Sequence, residues 1–386
     1  MSIRLYKRCL LHMCYRFCAV KKLVADGKLK DNHALASFKR ITTNFSGDQY
    51  MKSNPLLLGN PLCIVDVGAR DGMHPRWNKF TSSYKGILFE PDPEEHELLK
   101  AKCGKNLMVL NSALSDSAGE LDLHLCQKPG VSSVYWPNID FLSKFPEGER
   151  FDVIKSIKVQ ADTLNNQLKK NNIFDIDFMK IDVQGHELSI LKGSVDYLED
   201  LVGLEVEAEF VPMYKSQPLF NEVDSFIRKH GFELFDLKRY YWKRKESRNT
   251  RNQKGQLIFG DALYFKSPEQ VLLMNRVTQE KIVRSICIYL VYGYLDLAQT
   301  LFLNANRNGL LVKPVQDEVT LILSKYEKEY INTLPDFKGK ARIRLLFERI
   351  ASMLGVNSWH SGNDSAVGNN PGGLTISKIF FGSPWD

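Results

Sequence analysis

Short apolar runs alternate with segments of helical spacing between about residue 58 and residue 266. The runs that predict strands are LCIVDVG, KGILFEP, LMVLNSAL, DFMKIDV and LVGLEVEAEF. The segments EEHELLKAK and HELSILKGSVDYL repeat their apolar residues with a period typical of helices. Strands that alternate with helices favour a parallel sheet with helices on both faces. The pattern therefore predicts an α/β fold whose ligands lie outside the carboxyl ends of the strands.

Two flanking regions differ from this alternating part. Residues 1–57 are basic with helical spacing, and they end in the turn-rich linker SGDQYMKSNPLLLGNP. Residues 267–386 predict a helical extension with no further strand. Its final stretch, NSWHSGNDSAVGNNPGGLTISKIFFGSPWD, is rich in Gly, Asn and Ser and predicts a poorly ordered tail. We therefore expect three parts, with the central domain at residues 58–266.

The cysteine and hydropathy patterns bear on location. The chain of 386 residues has seven cysteines, an odd number at irregular spacing, which disfavours a secreted disulfide framework. No apolar run reaches the roughly 18 residues of a membrane span. The run CLLHMCYRFCAV is interrupted by His12 and Arg16 and lacks a signal-peptide cleavage site. We expect a cytoplasmic protein in which this run forms an amphipathic helix, packed either on the protein or on a membrane surface.

Polar and glycine residues follow the first three predicted strands, where a nucleoside-containing cofactor would bind. The glycines of DVGARDG have the spacing G-x-x-x-G, which fits neither the dinucleotide fingerprint nor the P-loop. Glu90 ends the next strand, where an acidic residue can accept hydrogen bonds from ribose hydroxyls. Such residues also occur in sheets that bind no ligand. The predicted cofactor-binding residues are Asp66, Gly68, Ala69, Asp71, Gly72, Glu90, Asp92, Asn111 and Ser112.

Five motifs then appear in a characteristic order: IVDVGARDG, ILFEPDP, LNSALSD, DFMKIDVQGHELSILKG and GQLIFGDALYFK. Together they resemble the FkbM-type methyltransferases, which use S-adenosyl-L-methionine and have a Rossmann-like class I sheet. The resemblance covers about residues 60–266. It implies that Asp66, Gly68 and Gly72 line the methionine end of the cofactor, that Glu90 holds the ribose, and that Asn111 lies near the adenine.

The block KIDVQGHE places several polar residues where a strand passes into a helix. Methyl transfer is an in-line displacement in which an acceptor hydroxyl must lose a proton. Asp182 is the first candidate base, because an otherwise apolar strand gains nothing from it, and His186 is the second. The family often has Glu where this chain has Gln184, whose amide could orient a substrate hydroxyl. Glu187 is either a substrate-binding residue or a first-turn carboxylate favoured by the helix dipole.

Three carboxylates share one face of the fifth predicted strand, in LEVEAEF. We expect Glu207 to assist as a base and Glu209 to bind sugar hydroxyls near Asp182. Oxygen ligands of this kind also suit Mg²⁺ or Ca²⁺, but we predict no metal site. An exposed edge strand with solvated carboxylates is the alternative.

The segment LKRYYWKRKESRNTRNQKGQ holds eight basic residues and a single acidic one. It lies between the strand-like runs FELFDL and LIFGDALYF, so it predicts a hairpin or its loop. Lys243 and Arg244 are candidates for binding an anionic acceptor. An RNA-binding surface and a solvated loop are the alternatives.

The combined prediction is an S-adenosylmethionine-dependent O-methyltransferase that acts on a hydroxyl of a sugar or glycan precursor. The oxygen acceptor is implied by the resemblance. Enzymes that methylate nucleobase nitrogens usually carry an Asp/Asn-Pro-Pro-aromatic motif where this chain reads DVQG, which disfavours a nucleic acid substrate. A nicotinamide-dependent oxidoreductase and a non-catalytic interaction module remain the alternatives.

Overall fold

The computed structural model describes residues 55–80, 83–247, 255–275, 277–330, 341–342, 345 and 359–362. The predictions for the N-terminal helical segment and for the Gly/Asn/Ser-rich tail fall almost wholly outside these residues. Within the described part of the chain, no helix is long and apolar enough to cross a membrane.

Strands and helices alternate along the described chain. The strands are β1 (Leu62–Val67), β2 (Tyr84–Phe89), β3 (Leu107–Leu110), β4 (Ala113–Leu114), β5 (Gly119–Cys126), β6 (Val153–Asp162), β7 (Phe178–Ile181), β8 (Gly203–Glu209), β9 (Glu233–Trp242), β10 (Gln256–Phe265) and β11 (His360–Gly362). The helices are α1 (Pro55–Leu58), α2 (Pro93–Lys102), α3 (Ile139–Leu142), α4 (Leu164–Lys170), α5 (Glu187–Lys192), α6 (Val195–Leu198), α7 (Phe220–Lys229), α8 (Pro268–Leu272), α9 (Gln279–Val291), α10 (Leu295–Arg307) and α11 (Lys313–Tyr330).

The main sheet has eight described strands in the order β11–β9–β10–β8–β7–β1–β2–β3. The strands from β8 to β3 in this order are parallel, whereas β10 pairs antiparallel with both β8 and β9. The strand order reverses beside β1, which lies between β2 and β7. This is a Rossmann-like class I sheet, and the predicted fold class is confirmed. Ligands of such sheets bind where the order reverses.

A smaller sheet is inserted between β3 and β7, and the sequence analysis did not predict it. It has the order β4–β6–β5, with β5 and β6 forming a long antiparallel pair. On β5, Leu123 and Leu125 lie on one side and His124 on the other, as strand alternation requires. Strand β11 is also a correction, because no strand was predicted after residue 266.

Helices cover both faces of the main sheet. On one face, Ile64 and Phe178 belong to a core cluster with residues of α9 and α10. On the other, Val65 and Met179 pack with residues of α5 and α7. Helices that follow residue 266 therefore share a core with the sheet. The division of the chain at residue 266 remains a prediction.

A buried group of charges fixes α9 to the amino end of β7. The Lys281 ammonium donates to Asp175 Oδ1 at 2.8 Å and to Asp177 Oδ1 at 2.9 Å. Arg284 Nε also donates to Asp177 Oδ1, at 2.9 Å. Asp177 is fully buried and accepts a further hydrogen bond from the Cys63 amide. Charges this deeply buried are tolerated only when they are paired.

We expect Asp177→Ala to lower the free energy of unfolding by about 3–5 kcal/mol, because it removes the buried partner of Lys281 and Arg284 and leaves them only the partly exposed Asp175. Urea denaturation followed by circular dichroism measures the change. Lys158→Ala is the matched control, since it breaks a 2.8 Å ion pair with Glu120 that is exposed to solvent, and it should leave the midpoint nearly unchanged. Equal effects of the two substitutions would contradict the prediction.

Candidate active site

One cavity opens at the carboxyl ends of β1, β2 and β7. Its walls come from the glycine turn after β1, the end of β2, the loop after β7 and the inserted sheet. The predicted site residues that line it are Gly68, Asp71, Glu90, Asp92, Ser112, Asp182, Gln184 and His186. The predicted site residues outside its lining are Asp66, Ala69, Gly72, Asn111, Glu187, Glu207, Glu209, Lys243 and Arg244.

The glycine turn brings two strand ends into direct backbone contact. Gly68 has φ +80°, in the left-handed region that favours glycine. A Cβ atom at this position would overlap the carbonyl oxygen of Asp182. The Gly68 and Ala69 amides both donate to the carbonyl of Phe89 at the end of β2, at 3.1 and 3.2 Å. Glycine is therefore required here, because three strand ends converge on it.

The end of β2 presents a buried carboxylate to the cavity. Glu90 Oε1 accepts a hydrogen bond from the Asp92 amide at 3.0 Å. Burial raises the Glu90 pKa to about 7. Asp92 caps α2 by accepting from the Glu94 amide at 3.1 Å, and Asn111 Nδ2 donates to the Glu90 carbonyl at 2.9 Å. Asp92 and Asn111 therefore shape this end of the cavity through local bonds, and Glu90 keeps acceptor capacity for hydroxyl groups.

Asp66 and Ser112, two further predicted cofactor-binding residues, lie near the ends of the first three strands. Asp66 is buried on the sheet face opposite the cavity residue Val67, and burial raises its pKa to about 6. Its Oδ1 has no hydrogen-bond partner among the described residues. Ser112 Oγ donates to the carbonyl of Ala113 at 2.9 Å. Of these side chains, Ser112 is the one that reaches the cavity.

A hydrogen-bonded group surrounds Asp182. Its Oδ2 accepts from Lys180 Nζ and its Oδ1 from Gln184 Nε2, both at 3.1 Å. Gln184 Nε2 also donates to Glu207 Oε1 at 2.6 Å, and the Tyr214 hydroxyl donates to Gln184 Oε1 at 3.0 Å. The two predicted acids, Asp182 and Glu207, thus meet at one amide.

The imidazole of His186 is buried beside the cavity. Its Nε2 lies 3.1 Å from Ser115 Oγ, and its Nδ1 has no hydrogen-bond partner among the described residues. Burial lowers the pKa of His186 to about 4, so the ring is neutral and weakly basic near pH 7. The sequence argument for His186 assumed an ordinary histidine pKa, and the structure does not support that premise.

Glu187 faces the backbone of its own loop. Its Oε1 accepts hydrogen bonds from the Val183 and Gly185 amides, both at 3.1 Å. The side chain is fully buried, and burial raises its pKa to about 7. It fixes the loop between β7 and α5, and the structure does not bring it to the cavity.

The carboxylates of β8 lie in the interior of the sheet, because β8 pairs with both β7 and β10. The alternative of an exposed edge strand is wrong. Glu205 Oε2 accepts from Arg76 at 3.2 Å and from the Tyr292 hydroxyl at 2.7 Å. Burial raises the pKa of Glu207 and Glu209 well above the usual range. Among the described residues, no group of three or more His, Cys, Asp or Glu is arranged to hold a metal ion.

The predicted hairpin is formed by β9 and β10. Lys243 and Arg244 follow β9 directly, and the rest of the basic tip, residues 248–254, lies outside the described residues. Arg244 donates to Gln256 Oε1 at 3.0 Å and lies 4.6 Å from the centroid of the Phe145 ring. Arg244 therefore contacts the inserted segment, and neither Lys243 nor Arg244 lines the cavity.

Four residues of the site were not predicted from the sequence. Lys180 could have been found, because it is a charged residue inside an apolar strand. Tyr214 lies in an irregular segment whose spacing carries no signal. Leu123 and Leu125 line the cavity from the inserted sheet, and the alternating pattern of β5 was their only signal.

The central part of the chain matches a known domain. The profile of the methyltransferase FkbM domain matches residues 66–234, which include the glycine turn, Glu90 and the Asp182 loop. The match covers less than half of the chain, so this central part resembles the FkbM methyltransferase domain. The family resemblance of the sequence motifs is thereby confirmed.

The chain is also similar to a curated protein and to solved structures. The methyltransferase sdnD of Sordaria araneosa is 27% identical over 221 residues, which are 51% of this chain and 81% of that protein. Human methyltransferase-like protein 13, solved with S-adenosylhomocysteine, shows 12% identity and a TM-score of 0.28, covering 67% of this chain and 88% of its own. A TehB-like methyltransferase from Corynebacterium glutamicum shows 10% identity and a TM-score of 0.27, covering 66% of this chain and 98% of its own. Because these TM-scores are low, the similarity to methyltransferases rests on the strand order and on the domain match.

Proposed function

We propose that this protein is a cytoplasmic S-adenosylmethionine-dependent methyltransferase that methylates a hydroxyl group of a sugar or glycan precursor. The observation that carries the proposal is the meeting of Gly68, Glu90 and Asp182 in one cavity. The first two suit a nucleoside cofactor, and the third suits an acceptor that must lose a proton. The oxygen acceptor itself is inferred from the FkbM resemblance.

The residues present fit the cofactor. Gly68 lines the cavity at the turn after β1, and Glu90 has acceptor sites that remain for ribose hydroxyls. Leu123, Leu125 and Val134 of the inserted segment supply an apolar wall of the kind that suits a planar base. When bound, the cofactor would supply a methyl group on a sulfonium centre for in-line transfer to an acceptor oxygen, with the sulfur leaving as a thioether.

Asp182 is the residue best placed to orient the acceptor and take its proton. Lys180 and Gln184 hold its carboxylate in one orientation at the cavity wall. A general base held in this way is effective because its carboxylate does not have to reorient before the proton is transferred. His186 is the weaker candidate, since its buried ring is neutral and weakly basic.

The hairpin suggests that the acceptor is anionic. Phe259 of β10 pairs with Glu209, so the tip of the hairpin projects from the same edge of the sheet as the cavity. Lys243 and Arg244 follow β9 at this edge. Phosphate or carboxylate groups of an acceptor would pair with them.

S-adenosylhomocysteine should bind the purified chain in calorimetry, and Glu90→Ala should weaken binding by about 1.5–3 kcal/mol, the range for hydrogen bonds to a charged group. Glu94→Ala, an exposed acidic position three residues after Pro91, is the control and should bind normally. Tight binding of NAD without binding of S-adenosylhomocysteine would favour the oxidoreductase alternative. Binding of neither would favour the interaction module.

Asp182→Asn keeps the size of the side chain and removes the base. We expect kcat to fall about 10²-fold or more while the affinity for S-adenosylhomocysteine stays nearly unchanged. His186→Ala should cost less. Near wild-type turnover in Asp182→Asn would remove it from the transfer step, and an inactive His186→Ala would reverse the two roles.

Replacing Lys243, Arg244 and Lys245 together with Ser should raise KM for an anionic acceptor and reduce its salt dependence, with unchanged cofactor affinity. Lys100 and Lys102 are the matched control, because they end α2 at the opposite edge of the sheet. Their replacement with Ser should leave KM unchanged. Unaltered kinetics in the hairpin variant would identify the tip as a solvated loop.

A further inference from the structure

The side chain of Gln184 has nearly all of its hydrogen-bonding capacity engaged. One amide nitrogen contacts Asp182 Oδ1 at 3.1 Å and Glu207 Oε1 at 2.6 Å, and the amide oxygen accepts from Tyr214 at 3.0 Å. A glutamine offers two N–H donors and one carbonyl, so both donors are used on carboxylates. Gln184 is therefore poorly suited to bind a substrate hydroxyl, the role that the sequence favoured.

The backbone of Gln184 is held in a conformation that few residues adopt. Its φ is +61°, in the left-handed region that non-glycine residues rarely adopt. The Ser133 hydroxyl donates to the Gln184 carbonyl at 2.7 Å. The next residue, Gly185, also has a positive φ, of +105°. The surrounding bonds thus fix the orientation of this side chain despite its local strain.

We propose that Gln184 is a positioning residue whose amide clamps Asp182 and Glu207 side by side for the transfer step. The inference rests on the proposed function. Burial and the charge of Asp182 raise the pKa of Glu207, so the two side chains do not share one site as two free carboxylates. An N–H donated to each side chain holds the pair in one arrangement. Lys180 holds the second oxygen of Asp182, so the carboxylate is fixed from both sides.

The titratable groups around Asp182 and Glu207 determine how an added charge at position 184 would act on the pair. Six described elements place further titratable groups against Asp182 and Glu207. These groups are Asp66 on β1, Lys180 on β7, Glu187 on α5, Glu209 on β8, Tyr240 on β9 and Asp261 on β10, with Tyr214 from an irregular segment. Most are acidic, so a further carboxylate at position 184 would add to an existing repulsion.

Two substitutions distinguish the loss of the N–H donors from the addition of a negative charge. Gln184→Glu replaces both N–H donors with a third carboxylate, and Gln184→Met removes the donors without adding charge. We expect the acid limb of the kcat–pH profile to move up by about one pH unit or more in Gln184→Glu, with kcat at pH 7 lowered about tenfold or more. Gln184→Met should lower kcat by a similar factor with a smaller displacement of the limb.

Gln167→Glu is the matched control, because Gln167 Nε2 donates to Asp162 Oδ2 at 2.9 Å and neither residue lines the cavity. It places an acid beside an acid and should leave the pH profile in place. An unmoved acid limb in Gln184→Glu, or wild-type kcat in Gln184→Met, would overturn the clamp. Gln184→Met keeps the test available if Gln184→Glu does not fold.

A stability measurement tests the clamp without turnover. If the wild-type chain methylates no hydroxyl acceptor, the proposed function fails, but the linkage between protons and folding remains. The folded Gln184→Glu chain should bind more protons than its unfolded state, so its loss of unfolding free energy relative to wild type should grow from about pH 5 to pH 8. A difference that does not change with pH would overturn the clamp.

Discussion

The backbone contact between Gly68 and Asp182 decides where the chemistry of this domain lies. A side chain at position 68 would overlap the Asp182 carbonyl, and the Asp182 amide donates to the Val67 carbonyl at 3.1 Å. The ends of β1 and β7 are therefore in contact at the point where the strand order reverses. Because β2 is tied to the same turn through Phe89, the cavity can open only above these three ends, and strand register then places Glu90 and Asp182 on its walls.

A row of charges crosses the sheet beneath this contact. Asp66 pairs in register with Lys180, and Lys180 with Glu205, so a cation lies between two carboxylates on adjacent strands. Burial alone would lower the pKa of Lys180, but the nearby charges of Asp182, Asp66 and Glu205 raise it. The Tyr292 hydroxyl, which follows α9, completes the row by donating to Glu205. The helices after residue 266 thus contribute to the electrostatics of the site as well as to the core.

The sequence predicted those parts of the fold that repeat with a clear period. The strands that carry the glycine turn, Glu90 and Asp182 could be found because each is a short apolar run that ends in polar residues. Strand β11 could not, because its three residues gain their structure from pairing with β9. The inserted sheet was missed because GELDLHLC alternates over a weakly apolar face, which resembles a surface loop as much as a strand.

Within the site, residue types were more predictable than their environments. The sequence identified His186 and Glu187 as polar residues at a strand end, but burial sets the pKa of the first, and two backbone amides occupy the second. The positive φ of Gln184 and its contact with Glu207 depend on two strands that are distant in the chain. Neither spacing nor composition carries that information, because it arises only when β7 and β8 pair.

The cavity wall has two sources, the strand ends of the main sheet and the inserted sheet. Gly68, Glu90 and Asp182 come from the strand ends, whereas Leu123 and Leu125 come from the inserted sheet. The two parts are joined at the Asp182 loop by the Ser133 and Tyr214 hydroxyls, which bond to the backbone and to the side chain of Gln184. A change of insert would alter the cavity wall while leaving the strand ends intact. The motifs of the sheet therefore indicate the reaction class, whereas they do not predict the part of the cavity wall that the insert supplies.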